Sequence, residues 1–297
     1  MFLASSGCGR DEAAGQISGG EGSISVSAST PQLFDLARNV AGERAGVVGV
    51  LAVNSDPHDY EPLPSDAEAL LDADLILRSG GDVDLWLDQL VEASGSTAPE
   101  LVLLDRVRSI DDDAHWWQDP ANAILAVEAI RDELISIDPG GRATYEENAR
   151  AYIGRLQQLD RDVAACLGSV AESERRLVTS HDSLGYYAAR YDIEIVGAAI
   201  PALTTQAQPS AGETAELVEL IEASGVATVF PEAGVSGELE AAIANEAGAS
   251  VGGELWADTL GPEGSGGATY VESIESNSAT LVEGFTAGAE SCSFGRG

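Results

Sequence analysis

The chain has three histidines in 297 residues: His58, His115 and His181. Neutral imidazole is the commonest metal ligand and a good zinc donor. The three lie far apart in sequence, so an ion shared between them has to be assembled by the fold. His58 lies in Asn54-Ser-Asp-Pro-His-Asp-Tyr-Glu-Pro-Leu-Pro64. The prolines stiffen that loop and lower the ordering entropy that placing a ligand costs. His115 lies in Asp111-Asp-Asp-Ala-His-Trp-Trp-Gln-Asp-Pro120. Trp116 and Trp117 read either as a shield against water or as plain core, Asp119 as a ligand-orienting acid or a helix cap, and the run 111–113 as a solvated loop. His181 lies in Val178-Thr-Ser-His-Asp-Ser-Leu-Gly-Tyr-Tyr187, where a strand passes into a helix. Ser180-His181-Asp182 is not a catalytic triad, because adjacency in sequence does not give triad geometry. Asp258, in Leu255-Trp-Ala-Asp-Thr-Leu260, stands where it can close a three-histidine site with an oxygen ligand, and Glu232 reads as a hydrogen-bond partner within its own loop. Each has a plainer reading: an exposed loop histidine for His58, a satisfied core histidine for His115, an unpartnered helix-start histidine for His181 and a turn aspartate for Asp258. Rival motifs are missing: there is no HExxH, Walker loop, GxGxxG after a strand, GxSxG or CxxC.

The elements that must position these residues follow from periodicity. Residues 23–30 alternate small polar and apolar side chains and predict a strand. Thr30 as N-cap and Pro31 at N1 predict a helix over 31–41. A second strand is expected over 47–53. Ser65 and Glu68 predict a capping box at the start of a helix to about residue 73. A strand over 74–77, a helix over 83–93 and a strand over 101–104 continue the alternation, which argues for a parallel sheet. A helix over 120–136 precedes a longer one over 142–169, where Tyr145, Ala149, Tyr152, Leu156, Leu159, Val163 and Leu167 keep a helical period. Its ~28 residues would span roughly 40 Å, long enough to connect two domains. Strands over 176–179, 193–199, 227–230 and 250–255 then alternate with helices over 182–191, 210–224, 236–247 and 267–285. The resulting fold class is α/β, two (β/α) lobes with parallel sheets. The division is a tether over 1–22, a first lobe over 23–141, the connecting helix over 142–169, a second lobe over 170–286 and a tail over 287–297.

Bulk properties exclude several partners. Fifty acidic residues stand against 15 basic ones, a formal charge of −35, and every basic residue is Arg. Nucleic acid is excluded on that balance, since its binding needs phosphates neutralised by Lys and Arg. No stretch approaches the ~20 apolar residues of a membrane span. Cys8 ends a small-residue run that reads as the close of a lipoprotein signal peptide, although Ser5 stands where Leu is usual. A lipid anchor there is the expected membrane attachment, with an ordinary N-terminal tail as the alternative. Cys166 and Cys292 are candidates for a disulfide in an oxidising compartment.

Taken together, the segments SDPHDYEPLPSD (55–66), GGDVDLWLDQL (80–90), AHWWQDPANA (114–123), DPGGRATYEENARAYIGRL (138–156), VTSHDSLGYYAARYDIEIVG (178–197), PALTTQAQPSAGE (201–213), VFPEAGVS (229–236) and ADTLGPEG (257–264) resemble the metal-binding solute-binding proteins of zinc and manganese ABC importers. The resemblance covers about 24–286. It implies two lobes on one rigid helix, with the metal in the cleft between them. It assigns His58 and His115 as ligands from the first lobe, and His181 and Asp258 from the second. Manganese-selective relatives tend to carry Glu at the third position and zinc-selective ones His, so His181 points to Zn2+, with Mn2+ or iron as the alternative. Imidazole-rich tetrahedral sites suit Zn2+, and Mn2+ favours oxygen-rich ones. The chain departs from the family in reading Asp113-Ala114-His115 where Asp-Pro-His is usual, and in lacking a long His-rich loop before that ligand. A weak role in collecting zinc falls to the acids 111–113.

The expectation is therefore an extracytoplasmic, monomeric receptor, not an enzyme, that captures Zn2+ and passes it to an ABC permease. It lies in the periplasm or on the outer face of the membrane. Protons should compete for the ligands as pH falls towards the histidine value of ~6.5. The rivals in other classes are a zinc hydrolase, which needs an open coordination position and a general base, and a surface adhesin.

Overall fold

The computed structural model describes residues 17–18 and 24–295. Cys8 and most of the tether lie outside the described residues.

The first lobe is built on a sheet with strand order β1-β3-β2-β4-β5, formed by β1 (Ile17–Ser18), β2 (Ile24–Ala28), β3 (Ala45–Gly49), β4 (Leu75–Arg78) and β5 (Glu100–Val102). All pairs are parallel except β1, which runs antiparallel to β3. Ile17 and Ser18 are therefore an edge strand rather than part of the expected tether. The period of two along a strand sends alternate side chains to opposite faces, and β4 shows the consequence. Leu75 and Leu77 enter the main core, whereas Ile76 joins a smaller cluster with Leu70, Leu87 and Leu90. That smaller cluster is roofed by α2 (Pro64–Leu71) and α3 (Trp86–Ser94), and the opposite face is covered by α1 (Pro31–Ala41) and α4 (Pro120–Ile137).

Helix starts follow side-chain chemistry. Leu33 N donates to Thr30 Oγ1 at the start of α1, and Ala121 N to Asp119 Oδ1 at the start of α4, each with Pro at N1. At α2 the expectation fails. Pro64 takes the first helical position, so Leu63 is the N-cap and Ser65 lies inside the helix. Asp66, at N3, accepts from Leu63 N at 2.6 Å and supplies the one half of the box that a leucine cap allows.

Next comes α5 (Arg142–Leu167), 26 residues long. Its buried stripe, Tyr145, Ala149, Tyr152, Leu156, Leu159 and Val163, recurs every three or four residues, which keeps one face against a partner along its whole length. It packs on α1 and α4 at one end and on α9 (Tyr270–Phe285) at the other.

The second lobe contains β6 (Arg176–His181), α6 (Gly185–Tyr191), β7 (Glu194–Ile200), α7 (Ala211–Ser224), β8 (Thr228–Val229), α8 (Glu238–Ala247), β9 (Ser250–Val251) and α9. The pairs β6–β7 and β8–β9 are parallel. Phe230 N donates to Val178 O at 2.9 Å, which joins the two ribbons side by side. The strands expected over 227–230 and 250–255 reduce to two residues each, and the chain beyond β9 meets β8's end only through a Glu232–Leu255 bridge. The main apolar core is continuous from Val26 and Leu33 through the α5 stripe to Tyr187, Phe230 and Leu281, so the two lobes share it. Cys166 near the end of α5 is disulfide-bonded to Cys292, with Cα atoms 5.6 Å apart.

Candidate metal centre

Four side chains converge where the lobes meet: His58, His115, His181 and Asp258, with one donor atom from each lying within 4.8 Å of all the others. His58 is carried by the loop after β3. Its backbone N donates to Asp56 Oδ1 at 2.9 Å, an Asx turn that aims the following side chain. The loop is tied across the cleft: Asp56 Oδ2 accepts from Thr205 Oγ1 at 2.6 Å, and the His58 carbonyl accepts from Gln206 Nε2 at 2.6 Å. Its imidazole is only 1% exposed.

His115 precedes a short 3-10 turn, Trp116–Gln118. The same turn chemistry recurs, because His115 N donates to Asp113 Oδ1 at 2.8 Å. That oxygen is also 2.7 Å from His115 Nδ1. A carboxylate can only accept, so Nδ1 carries a proton, and in the neutral ring Nε2 is the nitrogen left to face the site. Asp113 is buried, which corrects the reading of 111–113 as a wholly solvated loop. Its carbonyl accepts from Tyr186 Oη of the second lobe at 2.8 Å. Gly81 lets the neighbouring loop approach: its φ is +71°, and a Cβ there would lie 2.4 Å from Ala114 Cβ.

His181 is the last residue of β6 rather than a residue beyond it. Glu232 Oε1 accepts from His181 N at 3.2 Å and from Ser183 Oγ at 3.1 Å, while Oε2 lies 2.8 Å from His181 Nδ1. The last contact is an ionic approach rather than an aligned hydrogen bond. Glu232 therefore serves His181 rather than only its own loop. Asp258 differs from the histidines: neither of its buried oxygens meets a hydrogen-bond donor. They lie 3.2 Å from His58 Nε2, 3.4 Å from His115 Nε2 and 3.1 Å from His181 Nε2, and the last two nitrogens are 3.4 Å apart.

The electrostatics follow from this crowding. Burial opposes charge on His115, but Asp258 and the hydrogen bond to Asp113 outweigh it and raise its pKa to about 9. Burial likewise opposes charge on His181, and the Glu232 and Asp258 carboxylates raise it well above the ordinary value. Burial favours neutral Asp258, yet His115 and His181 hold it well below the usual carboxylate range. The raised values favour protonated rings; once an entering ion displaces those protons, the lone pairs that face one another in this buried space need the cation between them. Orphaned acceptor atoms on Asp258 and His58 Nε2 are the pattern a metal ion satisfies.

All four residues singled out in the sequence lie here. Asp113 and the role of Glu232 were missed, although the repeated Asp-X-His of 56–58 and 113–115 carries a signal for the first. No helix among the described residues is long and apolar enough to cross a membrane.

Residues 26–284 match the family model described as zinc-uptake complex component A, periplasmic. The chain is 32% identical over 291 residues to the manganese-binding lipoprotein MntA of Halalkalibacterium halodurans, covering 96% of each chain. It is 28% identical over 260 residues to the iron-binding protein YfeA of Yersinia pestis, covering 84% of this chain and 83% of that one. Among solved structures, the periplasmic zinc-binding protein TroA from Treponema pallidum superposes with a TM-score of 0.82 at 24% identity, over 89% of this chain and 99% of that one.

Proposed function

The chain belongs to the periplasmic zinc-uptake component A family, and from that premise we propose that the ion it captures and hands on is Zn2+. As a member it is an extracytoplasmic metal-binding receptor of an ABC importer, a binding protein and not an enzyme. The finer reading concerns the ion and its ligands. His58, His115, His181 and Asp258 replace the waters of the ion with three imidazole nitrogens and one carboxylate oxygen.

The observation that carries zinc is the donor set itself, nitrogen-rich and four in number. A tetrahedron with metal–ligand bonds of ~2.0–2.1 Å has edges of about 3.3–3.4 Å. The separations of 3.1–3.4 Å between His115 and His181 and from one or the other Asp258 oxygen to the three Nε2 atoms are close to those edges, while the set as a whole spans up to 4.8 Å. Charge also agrees. Two positive charges meet the carboxylates of Asp258, Asp113 and Glu232, so the ion leaves the cluster at about −1 where it would otherwise stand at −3.

Manganese or iron is the second reading, favoured by the names of the relatives from H. halodurans and Y. pestis. Competition between Zn2+ and Mn2+ for the purified protein, with His181→Glu beside it, separates the two. We expect the wild type to prefer Zn2+ and His181→Glu to move preference towards Mn2+. A wild type that prefers Mn2+ removes the zinc reading, and unchanged binding of both metals by His181→Glu removes the role of that position. Transfer goes to a membrane permease, and it requires the ligands of one lobe to part from those of the other.

A further inference from the structure

Asp258 has no donor of its own, yet a ligand must be held to bind tightly. Its backbone is held instead through the residue before it. The carbonyl oxygen of Ala257 accepts from Gln118 Nε2 at 2.7 Å and from Trp117 Nε1 at 2.9 Å. A third nitrogen, Gln32 Nε2, approaches at 3.5 Å, too far to add much. Gln118 and Trp117 are buried and belong to the turn that follows His115. Two donors satisfy both lone pairs of that carbonyl, and a carbonyl only accepts, so the amide nitrogen of Gln118 must face it. Gln118 Oε1 is left buried without a partner. Burying an unpaired acceptor is costly, a cost that packing alone gives no reason to retain. Trp117 is in turn fixed from the second lobe, since its carbonyl accepts from Tyr270 Oη at 2.6 Å.

We propose that Gln118, assisted by Trp117, is the positioning residue for Asp258: the first lobe holds the second lobe's carboxylate in place through the Ala257 carbonyl. The proposal rests on the reading of Asp258 as a ligand. It follows that Asp258 is fixed only while the lobes are together. Separation of the lobes withdraws the two donors from the Ala257 carbonyl, so the carboxylate loses its support in the same motion that parts the ligands of the two lobes.

The test compares wild type, Gln118→Met, Trp117→Phe, Asp258→Ala and the double variant Gln118→Met/Asp258→Ala. Zinc affinity is read by chelator competition, zinc dissociation by stopped flow, and geometry by the visible absorption of the Co2+ form. Gln118→Met is expected to weaken zinc roughly 10–100-fold, the usual effect of removing a group that orients a ligand, with faster dissociation. The intense tetrahedral Co2+ bands should weaken as the carboxylate loosens, a change that a general loss of stability would not produce. On the Asp258→Ala background the same substitution should change affinity by less than about two-fold, because the two residues act as one unit. Trp117→Phe keeps the ring, removes one N–H, and carries the test if Gln118→Met does not fold. It should show a smaller loss in the same direction. Wild-type affinity and Co2+ spectrum in Gln118→Met, or a full loss added to that of Asp258→Ala, overturns the clamp while leaving Asp258 a ligand. Wild-type affinity in Asp258→Ala overturns the ligand assignment and the clamp with it.

Discussion

Glu232 shows how much of a metal centre is set by groups that do not touch the ion. It fixes the end of β6 through His181 N and Ser183, and it places a carboxylate against the outer nitrogen of the His181 ring. Such partners set the tautomer and raise the basicity of the ligand nitrogen. Glu232→Ala should weaken zinc binding roughly 10–100-fold, with Glu232→Gln losing less because its amide oxygen still accepts from His181 N. Titration of both variants against a zinc-sensitive dye checks this, and equal affinity for wild type and Glu232→Ala would show the contact to be idle. The four candidate ligands were legible because histidine is scarce here and each stands in a loop of distinctive composition. Asp113 was overlooked within a run of three aspartates, although its place two residues before His115 matches that of Asp56 before His58. Its neighbours Asp111 and Asp112 remain exposed.

At the scale of elements, α5 is held in place at its start as well as along its stripe. Arg44, just before β3, makes a bidentate pair with Asp138 at 2.7 and 2.8 Å, and Tyr145 of α5 donates to the same carboxylate at 2.9 Å. The hydrogen bond from Arg44 is the main cause that lowers the Asp138 pKa to about 2. A depressed carboxylate stabilises the fold above its unfolded value, and that contribution is lost as pH falls through the folded one. The loss should therefore run from about pH 4 down to about 2. Asp138→Asn should lower the melting temperature at neutral pH and flatten its decline across that acid range. A decline as steep as that of the wild type would assign the acid limb to other carboxylates. Helix existence was readable from periodicity, and α7 begins at the reciprocal Ser210–Glu213 box. The starts of α2 and α6 were misjudged, since a proline at N1 or two extra residues of strand shift a boundary without altering the pattern. The short strands β8 and β9 were overestimated. Apolar runs there look like strands, but only two residues of each find a ladder partner.

Across the whole molecule, the lobes are not two independent cores hinged by a rod. One apolar core follows α5 through both, and a disulfide ties the segment beyond α9 back to the helix. That bond closes a loop with a sequence separation of 126 residues. A cross-link of this span restricts the unfolded chain and contributes about 2–5 kcal/mol. Cys292→Ser, or reduction, should lower the urea midpoint accordingly. Zinc affinity should change little, because the bond joins the connecting helix to the chain end and no candidate ligand. An unchanged midpoint would show that the unfolded chain gains little freedom when the link is cut. The charge of −35 acts at this scale too, disfavouring polyanions as partners without defining a site.

By itself the sequence determined the fold class, the order of its elements from β2 onward and the four candidates that converge at the centre. Periodicity, capping residues and scarce histidines are local signals that survive without coordinates. Tertiary structure alone decided which groups orient those residues. Glu232 reaches His181 across 51 positions, and Gln118 reaches Ala257 across 139. Contacts at such separation leave no period, spacing or composition in the chain. They exist only once the sheet edges and the shared core have fixed the distance between the lobes.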